Sequence, residues 1–402
     1  MHDAIDAAQF WIGFRLIETQ ILSETDLLLR LEADPRMDPR CGRCQMPCGL
    51  IHERSTRRVR ERNLLDRQVW LEVPLRRVAC LSCGVSTEHV PWLPARSRLT
   101  GRLVAHIEAL LRLLPIRHIS QLTGLHWHTI RAIDARRLAR DVTPPDLSRV
   151  RRLIMDEFAL FKGHRYATVA ICADTQQVLW VGEGRSRKDV QPFFEMLGPA
   201  VCARIEAVAM DMNTAMDLEA KAHCPNIRVV YDLFHVIAKF GREVIDRVRV
   251  DQANTLKADP SARRVVKRSR WLLLRNRGNL TDEQAVKLDD LLAANAPLTT
   301  VYVLKAQLKE LCDAPDEGEA RRRWNAWYHL ALDSRLPPLI AFAKRLAPYI
   351  DGIVASALYR LNTSVLEGMN NRIKVIKRMA YGYRDSAYFF LKIKAAFPGK
   401  AR

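Results

Sequence analysis

Two C-x-x-C pairs, Cys41-Gly42-Arg43-Cys44 and Cys80-Leu81-Ser82-Cys83-Gly84, stand 35 residues apart and limit what this chain can become more than any other feature. Each pair is a short knuckle, and glycine beside a ligand lets a knuckle turn tightly. Between them Val69-Trp70-Leu71-Glu72-Val73 has the composition of a strand. Knuckles at the ends of a β-segment set four thiolates tetrahedrally, as Zn²⁺ is held in closed structural sites. A zinc ribbon over residues 36–95 with one structural ion is the expectation; a redox pair or buried thiols are the alternatives. Cys48 is an ambiguous fifth candidate ligand. Cys172, Cys202, Cys224 and Cys312 have no partner spacing and are expected in the core.

Charge narrows the class of partner. The 402 residues carry 64 basic and 45 acidic side chains, a net +19. From Arg36 to Arg140 there are 20 Arg and no Lys against 8 acids, so this quarter of the chain holds +12 of that excess. Such density points to a polyanion, nucleic acid before anionic membrane. Arg57, Arg58 and Arg60, between the cysteine pairs, are expected on phosphate, as are neighbouring Arg54 and Arg62. No apolar run approaches the roughly 20 residues that span a bilayer. Met1-His2-Asp3-Ala4 lacks a basic n-region, so no signal peptide is expected. Nine Cys without a disulfide framework fit a reducing compartment, here the cytoplasm, with association to the nucleoid when DNA is bound.

Residues 1–35 read as a separate segment, with Arg15–Leu22 and Leu27–Ala33 as a possible hairpin, the Leu-rich second half being equally compatible with a helix. Residues 96–145 read as helices. Leu103, Ile107, Leu110, Leu111 and Leu114 make one stripe closed by Pro115. Ile116–Thr123, the turn Gly124-Leu125 and His126–Arg140 then give a helix-turn-helix outline. Ile119, Leu122, Leu125, Ile130 and Ile133 would be its core. Trp127, His128, Thr129 and Arg131 would face base edges or phosphates.

Residues 146–240 change character. Arg152–Glu157, Tyr166–Ala173, Gln177–Gly182, Ile205–Asp211 and Ile227–Asp232 are apolar strands, with helices at Arg187–Leu197 and Thr214–His223. This is a mixed α/β sheet in the strand order of the ribonuclease-H fold. Residues 241–360 are polar and helical, anchored by Trp271, Tyr302, Trp324, Trp327 and Tyr328, and read as an insertion. In 361–402 a helix begins near Thr363 or Ser364, either of which can cap it, and ends by Gly382. It sets Met369, Ile373, Ile376 and Ala380 on one side and Glu367, Asn371, Lys374 and Arg378 on another. One acid heads a basic stripe.

In-line phosphoryl transfer must neutralise charge on the attacking and leaving oxygens, which two Mg²⁺ about 4 Å apart can do. Mg²⁺ takes oxygen ligands and keeps several waters, so a few carboxylates suffice. Asp156 and Asp211 end strands, where ligands of α/β sheets gather, and Glu367 heads a helix. The expected roles are Asp156 bridging both ions, with Asp211 and Glu367 each holding one; Mn²⁺ would substitute. Water or a DNA 3′-hydroxyl attacks. Glu157 rivals Asp156 but alternation turns it to the other face, and Asp217 rivals Asp211 from within a helix. Asp232 is either a cap or an outer member. His235 is expected to be structural.

With these residues together, the chain resembles bacterial insertion-sequence transposases of the DDE type, specifically the ISL-three family. Asp156-Glu157-Phe158-Ala159 with Gly163-His164-Arg165-Tyr166-Ala167-Thr168-Val169 is similar to that family's first-acid segment. Asp211-Met212-Asn213 with Asp232-Leu233-Phe234-His235-Val236 is similar to the second. Lys267–Leu274 resembles part of its helical insertion, and Glu367–Lys374 through Arg378–Arg384 matches the third-acid signature. The cysteine pairs and the helix-turn-helix sit where the family keeps its zinc ribbon and DNA-binding helices. The resemblance implies a ribonuclease-H-like catalytic domain interrupted by an all-α insertion. It also implies binding to terminal inverted repeats, metal-dependent cleavage at the ends and strand transfer into target DNA. Related interrupted enzymes steady an extruded base on an aromatic side chain of the insertion; Trp271 is the candidate. Two ends must meet, so a homodimer or larger assembly on double-stranded DNA is expected. A non-catalytic DNA-binding regulator and a nuclease without strand transfer are the competing readings.

Overall fold

A computed structural model describes residues 9–400, apart from 162, 164, 213, 362 and 363 and the side chains of 312, 364 and 366. Expectations attached to Met1–Ala4, His164, Asn213, Cys312, Thr363 and the Ser364 side chain lie outside the described residues. The chain forms two compact units, Met1–Thr143 with Ile376–Arg384, and Pro144–Val375 with Asp385–Arg402.

In the first unit, strands β1 (Phe14–Ile21), β2 (Asp26–Ala33), β3 (Ile51–Arg60), β4 (Gln68–Cys80) and β5 (Gly84–Thr87) form one sheet in the order β1-β2-β4-β3, with β5 also on β4. The described part of residues 1–35 is therefore not a segment apart: β2 runs parallel to β4, with Asp26 opposite Gln68. Alternation along β4 buries Val69, Leu71, Val73 and Leu75 against Trp11, Phe14 and Trp92. Helices α1 (Gly101–Leu110), α2 (Ile116–Thr123) and α3 (Trp127–Asp141) follow. Thr100 caps α1 by accepting from the Leu103 N–H. Gly124 ends α2 at φ +70°, where a Cβ would also meet the Gln68 amide at 2.5 Å.

Leu103, Ile107, Leu111, Ile119, Ile130 and Ile133 make the helical core. Leu122 does not join it. It is 60 % exposed, because α2 turns Ile119 and Thr123 inward instead.

Arg60 is a second correction. Its side chain is 2 % exposed rather than offered to phosphate. The guanidinium donates to the carbonyls of Glu61, Val69 and Thr123 and to Asn63 Oδ1, so its hydrogens are committed to joining sheet and helices.

In the second unit β6 (Arg152–Phe161), β7 (Arg165–Cys172) and β8 (Val178–Glu183) run antiparallel. Helix α4 (Arg187–Cys202) leads to β9 (Ala207–Met210), and α5 (Thr214–His223) leads to β10 (Arg228–Tyr231). The order is β10-β9-β6-β7-β8, with β9 parallel to both β6 and β10. The chain then stays helical through α6 (Leu233–Phe240), α7 (Asp246–Thr255), α8 (Pro260–Arg268), α9 (Arg270–Leu274), α10 (Asp282–Ala293), α11 (Ala296–Lys309), α12 (Glu317–Asp333), α13 (Pro337–Leu346) and α14 (Ile350–Tyr359). One core runs from Leu153 and Met210 in the sheet to Trp324, Trp327 and Phe342 in the helices. Trp271 is no anchor of that core: it is 63 % exposed. Helix α15 (Ser364–Met379) buries Met369 and Ile373 and leaves Glu367, Asn371, Lys374 and Arg378 exposed. Gly382 N–H closes on the Lys377 carbonyl beyond its end, before α16 (Ser386–Ala396).

Candidate active site and four-cysteine centre

Strand register decides which acids meet. Leu153 pairs with Val208 and Ile154 with Ala209; across β9, Tyr231 pairs with Met210. Continuing both registers brings Asp156, Asp211 and Asp232 to the same level on three adjacent strands, whose spacing is about 4.8 Å. Asp156 lies inside β6, which runs on to Phe161, rather than at its end. Asp211 and Asp232 each follow the last residue of their strand.

The two inner aspartates are held alike. Asp156 Oδ1 accepts from the Glu157 N–H and Asp211 Oδ1 from the Met212 N–H, each at 2.7 Å. The other oxygen of each faces a side chain, Asp156 Oδ2 the Asn370 amide and Asp211 Oδ2 the His235 ring. His235, in the first turn of α6, stands between carboxylates, with Nδ1 3.9 Å from Asp211 and Nε2 3.6 Å from Asp232. Asp232 also caps α6, accepting from the Phe234 N–H at 2.8 Å. Burial pushes the Asp156 carboxyl above the ordinary aspartate range and the Asp211 charge adds to this, against the Glu157 N–H and His235, which lower it. The rivals are engaged elsewhere: Glu157 with Arg185 and Asp217 with Lys221.

Glu367 approaches on α15. Asn370, one turn further on, donates Nδ2–H to Asp156 Oδ2 at 2.7 Å. Residues three apart share a helix face, so Glu367 lies on the face that meets Asp156, with its own side chain exposed. Among the described residues, the oxygens of Asp156, Asp211 and Glu367 do not all fall within 4.8 Å of one another. An all-oxygen donor set nonetheless suits a hard divalent cation. Asn370 is the residue that sequence reasoning missed. Its only sequence signal is a polar side chain at the edge of the apolar stripe, beside Met369 and three residues before Ile373.

The cysteine centre is closed. The sulfurs of Cys41, Cys44, Cys80 and Cys83 all lie within 4.8 Å of one another, with Cys44 to Cys80 at 3.6 Å. A tetrahedron with Zn–S bonds of ~2.3 Å has edges of about 3.8 Å, so the site fits zinc. One knuckle is the β4–β5 turn, where Gly84 takes φ +71°. In the other, a Cβ on Gly42 would meet the Thr87 carbonyl oxygen at 2.2 Å. The Ser86 hydroxyl and the Cys44 and Arg43 N–H groups lower the Cys41 thiol to about 6. Contact with Cys44, then burial, pushes Cys83 up to about 12. Four thiols this crowded cannot all ionise without a cation among them. Cys48 is buried beside the cluster, with its thiol directed at the Met46 carbonyl at 3.5 Å, and is not one of the four.

Of the residues expected on DNA, Trp127, His128, Thr129 and Arg131 occupy the first turns of α3. His126 caps that helix and Arg131 lies over the Trp127 ring at 6.0 Å. Arg58 is exposed above Trp70 and Arg57 is half-buried. Arg270 lies over Trp271 at 5.0 Å and is itself bonded to Asp246. No helix of the described residues is long and apolar enough to cross a membrane.

A family model described as "Transposase", for the ISL3 DDE type, matches residues 153–393, which hold Asp156, Asp211, Glu367 and Asn370. A second, described as "Helix-turn-helix domain of transposase family ISL3", matches residues 88–138. The cysteine centre lies outside both spans. The chain is 52 % identical over 363 residues to the transposase for insertion sequence element IS1001 of Bordetella parapertussis, covering 90 % of this chain and 89 % of that protein. It is 26 % identical over 370 residues to the transposase for insertion sequence element IS1557 of Mycobacterium tuberculosis, covering 86 % and 83 %.

Proposed function

Because the chain belongs to transposase family ISL3, a family of DNA-cleaving and DNA-joining enzymes with helix-turn-helix and DDE domains, we propose that it acts at the terminal inverted repeats of an insertion sequence. It cleaves there and joins the freed ends to target DNA. The observation that carries this reading is the register that levels Asp156 with Asp211, while the helix bearing Glu367 is bonded to Asp156 through Asn370.

Asp156, Asp211 and Glu367 would hold two divalent ions, Mg²⁺ with Mn²⁺ as substitute, which would supply charge stabilisation at the attacking and leaving oxygens. Asp156 and Asp211 come pre-set by their strands, and the exposed Glu367 side chain completes the set by turning inward. His235 restrains Asp211 and Asp232. The sheet order, three antiparallel strands followed by two parallel ones, supports a ribonuclease-H-like domain, with the helices within residues 241–360 as its all-α insertion.

Zn²⁺ on Cys41, Cys44, Cys80 and Cys83 holds the ribbon. Trp127, His128, Thr129 and Arg131 read the inverted repeat from the start of α3, where side chains reach base edges. Arg57, Arg58, Asn371, Lys374 and Arg378 contact phosphate, and exposed Trp271 stacks on a base. Arg60 is withdrawn from this set. The protein works in the cytoplasm as a homodimer or larger assembly that brings two ends together.

The test uses a supercoiled plasmid carrying the element ends with Mg²⁺ or Mn²⁺. Parent protein should nick and cut at the ends, and join an added 3′-hydroxyl end to target. Asp211→Asn and Glu367→Gln should bind the ends and leave them intact. Equal cutting by these variants would overturn the site assignment, and cutting without joining would make the protein a nuclease. Affinity for the ends should also fall with salt, with a log–log slope of about −0.9 per phosphate neutralised.

A further inference from the structure

Asn370 is 8 % exposed, yet only half of its amide is used. Nδ2 donates to Asp156 Oδ2 at 2.7 Å, whereas Oδ1, with no solvent access, has no hydrogen-bond partner among the described residues. Leaving a buried acceptor unpaired is destabilising, and a buried orphan calls for a specific cause. Turning the amide over is no remedy, since Oδ1 would then oppose the ionised carboxylate of Asp156. The carboxylate therefore fixes which amide atom points away from it.

Resting on the three-acid reading above, we propose that Asn370 is the positioning residue of the metal site. Its Nδ2–H ties down one lone pair of Asp156 Oδ2 and so fixes the direction in which that carboxylate presents its remaining electrons. Groups that orient metal-binding carboxylates are hydrogen-bonded to them in turn, and losing such a group typically weakens metal binding. Position argues the same way. Asn370 lies one turn after Glu367 on α15, so a single helix supplies both a direct ligand and the amide that aligns a ligand from another element. Asp156 Oδ1 is already occupied by the Glu157 N–H, which leaves Oδ2 as the oxygen whose direction matters most.

The experiment is Mn²⁺ titration of the full-length, zinc-loaded protein, read by the loss of the free-ion paramagnetic resonance signal, with no DNA present. The variants are Asn370→Ala, Asn370→Leu and Asp156→Asn. Leucine matches asparagine in shape and keeps the space filled, so it separates packing from polarity. Asp156→Asn should abolish tight Mn²⁺ binding. Asn370→Leu and Asn370→Ala should each weaken it by roughly 10- to 100-fold, while melting of the leucine variant stays close to the parent. Parental Mn²⁺ affinity in Asn370→Leu would overturn the inference. Parental affinity in Asp156→Asn would overturn the three-acid reading instead, so the two failures are told apart. If Asn370→Ala does not fold, the leucine variant alone decides.

Discussion

The cysteine centre and the carboxylate site are both gatherings of anionic ligands, and they are built in opposite ways. The four cysteines come from two tight turns of one sheet, and their sulfurs already stand at the spacing of a tetrahedron. The carboxylates come from three strand positions and a helix far along the chain, and they stop short of closing. The first site turns every ligand onto a single point. In the second, Oδ1 of each inner aspartate accepts from the N–H of the following residue, and Oδ2 faces a side chain of another element, Asn370 for Asp156 and His235 for Asp211. A structural metal site can spend all its positions on protein ligands; a catalytic one must keep room for the reacting oxygens. The contrast gives the two sites different vulnerabilities.

The largest effect should follow from opening the closed site. Binding to structural zinc contributes about 10–16 kcal/mol of folding free energy in small zinc modules. Cys80→Ser should therefore lose the one Zn²⁺ per chain that metal analysis of the parent protein is expected to find, and with it affinity for the inverted repeats. Full zinc occupancy with parental DNA affinity in that variant would erase the distinction drawn here. The next effect belongs to the open site. Asp156→Asn and Asp211→Asn should keep DNA affinity and zinc while end cleavage falls by about 10³-fold or more, roughly 4 kcal/mol of barrier. If either variant lost zinc, or folded poorly, the two sites would not be independent.

A smaller effect separates them by sign. Burial raises the Asp156 carboxyl above its ordinary value near 3.8, so the folded state keeps that proton to higher pH than the unfolded chain does. The contribution to stability is complete below the ordinary value and is lost as pH climbs through the raised one. At neutral pH the ionised carboxylate thus destabilises the protein when no cation is bound. Asp156→Asn should melt higher than the parent in magnesium-free buffer at pH 7, by roughly 2–4 °C per kcal/mol regained, and the gain should vanish near pH 4. A lower melting temperature for Asp156→Asn at pH 7 would mean that the aspartate is a stabilising group and not a strained ligand.

What the sequence disclosed follows the same divide between local and distant. The knuckles were legible because spacing and glycine act within a few residues. The helix-turn-helix was legible because Pro115 and Gly124 punctuate it. The strand acids were legible because an apolar run followed by Asp is a local pattern, although β6 continues past Asp156. Partners brought by distant chain were not. Nothing near Arg60 shows that the Thr123 carbonyl will meet it, and nothing in residues 1–35 shows that β2 will lie along β4. Asn370 was hidden for the same reason: its partner is 214 residues away.

The smallest expected effect tests whether closure of the cysteine site is complete. Cys48 is buried against the cluster, and burial, then contact with Cys80, pushes its thiol above the usual cysteine range. A neighbour that keeps its proton and points it at the Met46 carbonyl is a spectator to four ligands that already face one another. Cys48→Ser should retain one Zn²⁺ per chain and lose only about 1 kcal/mol of stability, an ordinary cost for a buried conservative change. Loss of zinc would make Cys48 a fifth, exchangeable ligand and the centre as adaptable as the carboxylate site. The parallel with Asn370 sharpens the point. Both side chains touch a proposed metal ligand from outside the ligand set, yet removal of the neighbour should matter little where the geometry is complete and by one to two orders of magnitude where the neighbour still has to aim it.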